Sequence, residues 1–485
     1  MNAKTLGELK KLKYSYRSIR EELRDNLILK LKSKEPFFKG IYGYDQTVIP
    51  DIERAILSGH NILFLGLRGQ AKTRMARLLS KLLDEYIPII QGSEINDDPL
   101  HPISKFGRET ISELGDKTPI QWIHRDDRYV EKLATPDVSI ADLIGDLDPI
   151  KAAQKKISYD NEYAIHYGLI PRSHRSIFVI NELSDLQARI QVALFNILEE
   201  NDLQIRGFKI KLPLDIFFVF TANPEDYTQR GNIITPLKDR IESQILTHYP
   251  EDIETSLKIS LQESKIEEEL KTQIVIPDLM LKIVEQISFT ARESEFIDDK
   301  SGISARLSIA AFELLYSAIY RRMLINGEKK GVARLSDLLA IVPALTGKME
   351  LVYEGEQMGA YDVALSLINE SIQMQCQTLF PLISTNGKQK TANPYQTICD
   401  WFTKGHSIIF GLDDSETAYQ KVIHSIPEAD LFIKNFIKKD QNFAIECILH
   451  LISGANIIQK EWLDQRIVFK DQLASMLNDL DLSSN

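Results

Sequence analysis

The sequence predicts an α/β fold in which parallel strands lie buried between helices, and three apolar runs carry that prediction. Residues 62–65, 176–180 and 216–222 are short and almost continuously apolar, as expected of strands covered on both faces. Each run is followed by glycine or by polar side chains. Because ligands bind at the carboxyl ends of the strands in open α/β sheets, we expect these residues to form a binding edge.

The first run leads into a glycine-containing loop that ends in Lys72-Thr73. Glycines there let backbone amides point at an anion, and a helix beginning at about Lys72 would direct its positive end to the same place. The loop therefore predicts binding of ATP phosphates by Lys72 and of Mg²⁺ by the Thr73 hydroxyl. The strict consensus has glycine at position 71, so an ordinary strand-to-helix turn is the alternative. The predicted nucleotide-binding residues are Gly66, Leu67, Arg68, Gly69, Gln70, Ala71, Lys72 and Thr73.

The second run ends in Asn181-Glu182 and the third is followed by Asn223. P-loop proteins place at the first of these ends a carboxylate pair that holds Mg²⁺ and activates water. Here Asn181 replaces the usual aspartate, so we expect an amide oxygen on a Mg²⁺-bound water and weaker metal affinity. Glu182 retains the carboxylate that polarises the attacking water.

Five motifs in this order resemble those of AAA+ ATPases from the branch that contains the MoxR proteins and the magnesium chelatase I subunit. The resemblance covers residues 40–350, and Asn181 departs from the usual Asp-Glu pair. The motifs are the loop at 66–73, whose Ala-Lys-Thr ending is common in MoxR proteins, the Gly-Leu-Ile and His-Arg segments within 168–183, Thr-Ala-Asn-Pro-Glu at 221–225, Pro-Leu-Lys-Asp-Arg at 236–240 and Gly-Ile-Ser-Ala-Arg at 302–306.

The resemblance implies roles for residues outside the loop. Asn223 would hydrogen-bond the attacking water or the γ-phosphate, Arg240 would enter the neighbouring subunit's site, and Arg306 would report phosphate loss to a helical lid. An arginine that acts in trans implies a ring, which we expect to be a homo-hexamer with a von Willebrand factor A domain protein as its partner. Weaker candidates for the arginine role are Lys238, Arg230 and Arg175.

Periodicity and breakers predict four regions along the chain. Within the second region we expect an insertion at 92–135 and a hairpin at 203–212. The resemblance implies that the segment at 137–149 belongs to an insert near a central pore. It also implies that the hairpin projects towards this pore, for which a plain surface hairpin is the alternative. The regions are an N-terminal helical lead-in at 1–36, the nucleotide-binding α/β domain at 37–250, a helical lid at 251–350 and an all-α C-terminal segment at 351–485, with a loop at 354–359.

Residues 413–417 read Asp-Asp-Ser-Glu-Thr and match the pattern of a metal-dependent adhesion site. Such a domain needs roughly 180 residues by family precedent, far more than follow Thr417. We therefore expect Ser415 to cap the start of a helix.

Composition narrows the functional classes. The chain has 485 residues, 44% of them hydrophobic, and a net charge of −11, so we expect several domains and no nucleic-acid footprint. Residues 4–34 carry ten Lys and Arg against four Asp and Glu, which we interpret as a solvated helix face.

No apolar run approaches the ~18 residues of a membrane span, and no secretion signal begins the chain. Three separated cysteines, Cys376, Cys399 and Cys447, fit buried or free thiols in a reducing cytoplasm.

Three functions remain open at this point. The first is a MoxR-type remodelling or cofactor-insertion ATPase, the second is a chelatase subunit for tetrapyrrole metallation, and the third is a nucleotide-gated scaffold with little hydrolysis. An enhancer-binding activator is disfavoured because its Gly-Ala-Phe-Thr-Gly-Ala loop is missing. A dinucleotide-binding dehydrogenase is excluded because Gly-x-Gly-x-x-Gly is absent and the loop ends in Lys-Thr.

Overall fold

A computed structural model of the chain divides it into two compact units, residues 1–248 and residues 249–485. The structure describes residues 3–155, 161–200, 203–205, 208–210, 212–224, 232–298, 302–381, 395–427, 441–463 and 465–471.

The first unit contains a five-stranded sheet in which every neighbouring pair of strands is parallel. Across the sheet the strands follow the order Ser243–Leu246, Ile62–Leu65, Ile216–Ala222, Ser176–Asn181 and Tyr129–Leu133. The three predicted strands are its central members, which confirms the α/β fold class. The strands of this unit are Ile62–Leu65 (β1), Tyr86–Ile90 (β2), Ile120–His124 (β3), Tyr129–Leu133 (β4), Gly145–Leu147 (β5), Ile165–Tyr167 (β6), Ser176–Asn181 (β7), Leu203–Ile205 (β8), Phe208–Ile210 (β9), Ile216–Ala222 (β10) and Ser243–Leu246 (β11).

Apolar side chains cover both faces of this sheet. One cluster takes alternate strand residues such as Leu63, Phe178 and Phe220, and the other takes their neighbours, such as Phe64 and Val179. Helices close both faces, as the continuous apolar runs predict. The helices of this unit are Leu6–Lys11 (α1), Ile19–Ser33 (α2), Val48–Ser58 (α3), Lys72–Leu78 (α4), Lys105–Leu114 (α5), Ile140–Leu143 (α6), Pro149–Lys155 (α7), Leu169–Arg172 (α8), Ala188–Glu200 (α9) and Thr235–Asp239 (α10), with short 3₁₀ turns at Leu79–Leu82, Gly115–Lys117, Arg125–Arg128, Glu162–Ala164 and Leu183–Asp185.

The region predicted as an insertion at 92–135 is partly central to the fold. Its last strand, β4, pairs with β7 and forms one edge of the main sheet, so the predicted insertion is too long at its carboxyl end. The strand was missed because Glu131 and Lys132 interrupt its apolar pattern. Elsewhere β2 pairs with β3 and β5 with β6 in antiparallel hairpins.

The hairpin predicted at 203–212 is confirmed by the antiparallel pairing of β8 with β9. Its turn at Arg206 and Gly207 lies outside the described residues. Whether the hairpin faces a pore stays a prediction.

The N-terminal segment is held to the amino-terminal edge of the sheet by polar contacts that are largely buried. Glu22 of α2 receives two hydrogen bonds from Arg128, at 2.7 and 2.6 Å, and their side chains are 6% and 1% exposed. Asp215, next to the start of β10, accepts hydrogen bonds from the backbone of Ile19 at 2.7 Å and from the Tyr16 hydroxyl at 3.3 Å. The helix therefore belongs to the first unit, while most Lys and Arg side chains of 4–34 face solvent.

The second unit is mainly helical, and one apolar cluster fills it. Its helices are Ile253–Glu263 (α11), Glu268–Gln273 (α12), Asp278–Glu293 (α13), Arg306–Asn326 (α14), Val342–Thr346 (α15), Tyr353–Met358 (α16), Ala360–Cys376 (α17), Gln396–Thr403 (α18), Glu416–Ile423 (α19) and Gln441–Gly454 (α20), with a 3₁₀ turn at Leu335–Ile341 and a two-stranded pairing of Ile274–Val275 (β12) with Gly331–Val332 (β13).

The C-terminal segment has the predicted helices, but it also contains a sheet and is therefore not all-α. The sheet is antiparallel and consists of Ile408–Gly411 (β14), Ile458–Leu463 (β15) and Arg466–Asp471 (β16), with β16 in the middle. Polar residues interrupt the apolar pattern of β15 and β16, whereas β14 is itself a short apolar run, Ile-Ile-Phe-Gly, within a region predicted to be helical. The loop predicted at 354–359 is wrong, because most of it is helix α16.

Two smaller predictions for this segment are confirmed. Ser415 caps α19, where its hydroxyl accepts a hydrogen bond from the Ala418 amide at 3.3 Å. The three cysteines are buried free thiols.

Among the described residues, no helix is long and apolar enough to cross a membrane.

We predict that Glu22→Ala destabilises the first unit by about 3–5 kcal/mol, because it leaves the buried Arg128 guanidinium without its carboxylate. The measurement is chemical denaturation of the full chain. Asp25→Ala is the control, because Asp25 lies on the same helix and forms an exposed ion pair with Arg17, whose loss should cost no more than about 1 kcal/mol. Equal losses in the two variants would contradict the proposed weight of the buried pair.

Candidate functional site

The loop between β1 and α4 has the backbone expected of a phosphate-binding loop. Gly69 and Ala71 have positive φ angles of 77° and 56°, and α4 begins immediately afterwards at Lys72. Ala71 is the residue that departs from the consensus glycine, and it adopts a left-handed conformation that costs a non-glycine residue about 1 kcal/mol. This loop and the parallel sheet define a P-loop α/β fold.

Close packing around position 66 explains why this residue is a glycine. The Gly66 amide donates to the Ala222 carbonyl at 3.2 Å, which ties the loop to the end of β10. A Cβ at Gly66 would overlap Thr247 Oγ1 and Gln70 Oε1, which hydrogen-bond each other at 2.6 Å. A side chain at position 66 would therefore displace this pair and open the loop.

Lys72 lies folded against the loop and is 7% exposed. Its ammonium donates to the Leu67 carbonyl at 2.9 Å and to the Gly66 carbonyl. Arg68 and Gly69 at the loop tip are exposed, whereas Gln70 is buried. The loop thus concentrates one buried positive charge at the amino end of α4, where an anion is stabilised.

Thr73, Asn181 and Thr221 meet at the carboxyl edge of the sheet. The Asn181 Oδ1 atom is 3.2 Å from Thr73 Oγ1 and 3.1 Å from Thr221 Oγ1. The register of the strands brings them together, because Ile180 pairs with Phe220 across β7 and β10. The predicted proximity of Thr73 and Asn181 is therefore present, and Thr221 joins them.

Glu182 and Asn223 lie beyond the ends of the same two strands. Glu182 has left-handed backbone angles, φ 55° and ψ 54°, and its amide donates to Thr221 Oγ1 at 3.1 Å. Its side chain is partly exposed, while Asn223 is buried. Both residues thus follow the edge that carries the loop, as predicted from the sequence.

Sequence reasoning missed Glu131 on β4. Its Oε1 accepts a hydrogen bond from Asn181 Nδ2 at 2.7 Å, and Arg77 of α4 donates to it through Nε at 2.8 Å and Nη2 at 3.1 Å. The Tyr129 hydroxyl donates to Oε2 at 3.2 Å. Burial raises the pKa of Glu131, but the hydrogen bonds and charge of Arg77 outweigh it and hold that pKa below its ordinary value. A carboxylate therefore lies directly behind the neutral Asn181.

Within the first unit, Arg240 is not part of this cluster. Arg240 follows α10 and forms ion pairs with Glu199 at 2.8 Å and with Asp239 at 2.6 Å. Arg306 is the exposed first residue of α14 in the second unit. Arg230 lies outside the described residues. The trans role of Arg240 and the sensing role of Arg306 stay predictions, as does the weaker candidacy of Lys238.

Arg175 and His174 have structural positions at the opposite, amino-terminal edge of the sheet. Arg175 is 3% exposed and binds the Pro88 carbonyl at 2.8 Å and the Asp98 carboxylate at 3.0 Å. His174 Nδ1 accepts a hydrogen bond from the Asp215 amide at 2.9 Å. Burial and the charge of Arg175 lower the pKa of His174 to about 3. The weaker candidacy of Arg175 as a catalytic arginine is therefore wrong.

The donor set at the edge fits Mg²⁺ bound together with a nucleotide. Mg²⁺ prefers oxygen ligands, and it is usually bound by one or two protein groups, by water and by substrate phosphates. The Thr73 hydroxyl and the Asn181 carbonyl oxygen supply two such oxygens, and the Lys72 ammonium lies within the loop that leads to them.

Comparison with known proteins finds solved structures that align with the chain at low identity and low TM-score. No protein-family model matches the chain. The aligned structures include a chain from the complex between the BchI and BchD subunits of magnesium chelatase, with 18% identity and a TM-score of 0.34 over 66% of this chain and 98% of that chain. A candidate ATPase from Cytophaga hutchinsonii has 16% identity and a TM-score of 0.29 over 74% and 97%. NtrX from Brucella abortus in complex with ATP has 14% identity and a TM-score of 0.37 over 72% and 68%.

We predict that His174 makes the stability of the first unit depend on pH. Its folded pKa of about 3 lies below the ordinary value of 6.5 expected in the unfolded chain, so only the unfolded state gains a proton between these values. The free energy of unfolding should then fall as pH falls from about 6.5 towards 3, with a contribution of at most ~1.4 kcal/mol per pH unit.

The variant His174→Asn, which retains an acceptor for the Asp215 amide, should lose this contribution. Denaturation curves at several pH values measure it. His166→Asn is the control because His166 is exposed. Parallel pH profiles for wild type and His174→Asn would refute the assignment.

Proposed function

We propose that this chain is an ATP-hydrolysing AAA+ ring ATPase of the MoxR type, which remodels a partner protein or inserts a metal or cofactor into it. The observation that carries the proposal is the convergence of the Lys72 loop with Thr73, Asn181 and Glu182 at one edge of a parallel sheet. The order of the motifs along the chain supports the MoxR branch.

The chemistry assigned to the edge is phosphoryl transfer to water. The loop amides and the Lys72 ammonium bind the ATP phosphates, and Thr73 and Asn181 hold Mg²⁺. When bound, Mg²⁺ neutralises charge on the phosphate oxygens. Glu182 orients the attacking water and accepts its proton, while Asn223 donates a hydrogen bond to the water or to the γ-phosphate. Positioning and charge neutralisation account for most of the acceleration.

Ring assembly is the second part of the proposal. The Arg240 side chain is 38% exposed and forms an ion pair with Glu199. If Arg240 left Glu199 and bound a phosphate in a neighbouring copy, it would complete the site of that copy. A homo-hexamer that assembles with ATP provides such neighbours. Arg306 then couples phosphate loss to the helical unit, and a von Willebrand factor A domain protein is the expected partner.

A nucleotide-gated scaffold is the second candidate function, and Asn181 favours it. An amide lacks the negative charge with which aspartate attracts Mg²⁺, so binding can persist while hydrolysis is slow. A chelatase-type subunit for tetrapyrrole metallation would use the same edge residues. An assay of metal insertion into a tetrapyrrole, with a partner subunit added, distinguishes the two roles. Insertion would indicate a chelatase-type subunit and not a protein remodeller.

We predict that Glu182→Gln lowers steady-state ATP turnover by about 100-fold or more, because it removes the general base, while nucleotide-dependent rings persist. Turnover and ring size are measured in the same samples. Glu85→Gln is the control, since Glu85 is an exposed carboxylate of the same unit. Negligible turnover in the wild type, despite ATP-dependent assembly, would favour the scaffold.

We predict that Arg240→Ala lowers turnover by about 10³-fold, as loss of an arginine finger does, with little change in nucleotide affinity. Arg54→Ala, which removes a surface ion pair with Asp51, should leave turnover unchanged. Loss of ATP binding in Arg240→Ala would contradict the assignment.

Mixing subunits tests whether Arg240 acts in trans. Rings assembled from Arg240→Ala and Glu182→Gln subunits contain interfaces at which one copy supplies Glu182 and its neighbour supplies Arg240. Turnover should therefore reappear in the mixture. A mixture as inactive as its components would place Arg240 in its own subunit's site or outside the chemistry.

A further inference from the structure

The orientation of the Asn181 amide decides whether its oxygen or its NH₂ group faces Thr73. An asparagine can turn its amide by 180°, and only the hydrogen-bond partners select one orientation. Thr73 and Thr221 do not select it, because a hydroxyl can donate to the oxygen or accept from the nitrogen. The third partner of Asn181 is the Glu131 carboxylate.

Glu131 is the partner that removes this ambiguity. A carboxylate whose two oxygens face a guanidinium only accepts hydrogen bonds, and the two-point contact with Arg77 fixes Glu131 in place. The Asn181 NH₂ group must therefore point to Glu131. Its carbonyl oxygen is then turned towards Thr73, where the proposed Mg²⁺ would bind. The oxygen would attract Mg²⁺, whereas an NH₂ group in its place would repel it.

We propose that Glu131 is a positioning residue that turns the carbonyl oxygen of Asn181 towards the metal. The two residues together then take the place of the usual aspartate. The inference rests on the proposed Mg²⁺–nucleotide site. It explains why asparagine occupies position 181. An aspartate there would put two carboxylates in contact, since Asn181 Nδ2 and Glu131 Oε1 are only 2.7 Å apart, and like charges so close cannot both remain ionised without a large cost.

The test is a double-mutant cycle. Since aspartate is usual at position 181, the motif alone predicts that Asn181→Asp strengthens Mg²⁺-dependent nucleotide binding. The contact with Glu131 predicts that it weakens this binding. The four proteins are the full-length wild type, Asn181→Asp, Glu131→Gln and the double variant that carries both substitutions. A fluorescent ATP analogue is titrated into each one, first with Mg²⁺ and then with EDTA. The ratio of the dissociation constant in EDTA to that in Mg²⁺ reports the metal site without any need for hydrolysis.

Asn181→Asp, although it restores the common motif, should lower this ratio by about tenfold through the new repulsion, within the range of couplings between contacting residues. Glu131→Gln should lower it as well, because a glutamine can present either its oxygen or its NH₂ group to Asn181. The double variant should recover to within about threefold of the wild type, because the introduced glutamine can donate its NH₂ group to the introduced aspartate. Affinities in EDTA should be alike in all four proteins.

Two outcomes would overturn the inference. One is an Asn181→Asp protein that binds the Mg²⁺–nucleotide as tightly as the wild type or more tightly. The other is a double variant as weak as Asn181→Asp. Glu85→Gln controls for the loss of one negative charge and should match the wild type. A wild type whose nucleotide affinity does not respond to Mg²⁺ would instead refute the proposed function itself.

Discussion

Parallel pairing of β1, β10, β7 and β4 in a fixed register is the constraint on which the site depends. Parallel strands end at a common edge, so residues that follow different strands become neighbours there. In this chain the pairing of Leu65 with Ala222 and of Ile180 with Phe220 sets the loop, Thr221 and Asn181 side by side. A shift of one residue in either pair would turn these side chains to the other face of the sheet.

Buried charged side chains lie at the opposite edge of the sheet. Arg128 and Glu22 pair there, and Arg175 binds Asp98 and the Pro88 carbonyl. Such pairs add little net stability when complete, but removal of one partner is costly because the other remains buried and charged. They therefore determine where the N-terminal helices attach, and the apolar cores on the two faces of the sheet supply most of the stability.

Polar side chains at the binding edge are arranged in a chain from solvent to the loop. Arg77 holds Glu131, Glu131 holds the Asn181 amide, and Asn181 contacts Thr73 and Thr221. Each contact limits the rotations that are open to the next side chain.

Local signals in the sequence were enough to specify the three central strands, the phosphate-binding loop and the helix at Lys72, because continuous apolar runs and glycine spacing need no distant partner. They also identified Thr73, Asn181 and Glu182 as neighbours, since residues after parallel strands share an edge. They did not reveal β4, β11, β15 or β16, whose residues mix polar and apolar types. The short apolar run of β14 becomes a strand through its pairing with β16.

The contact between Glu131 and Asn181 could be found only in the folded chain. These residues are 50 positions apart and meet only through the pairing of β4 with β7. Folding likewise determined that Arg175 is a buried structural residue, because burial depends on what packs around a side chain and not on the motif that contains it.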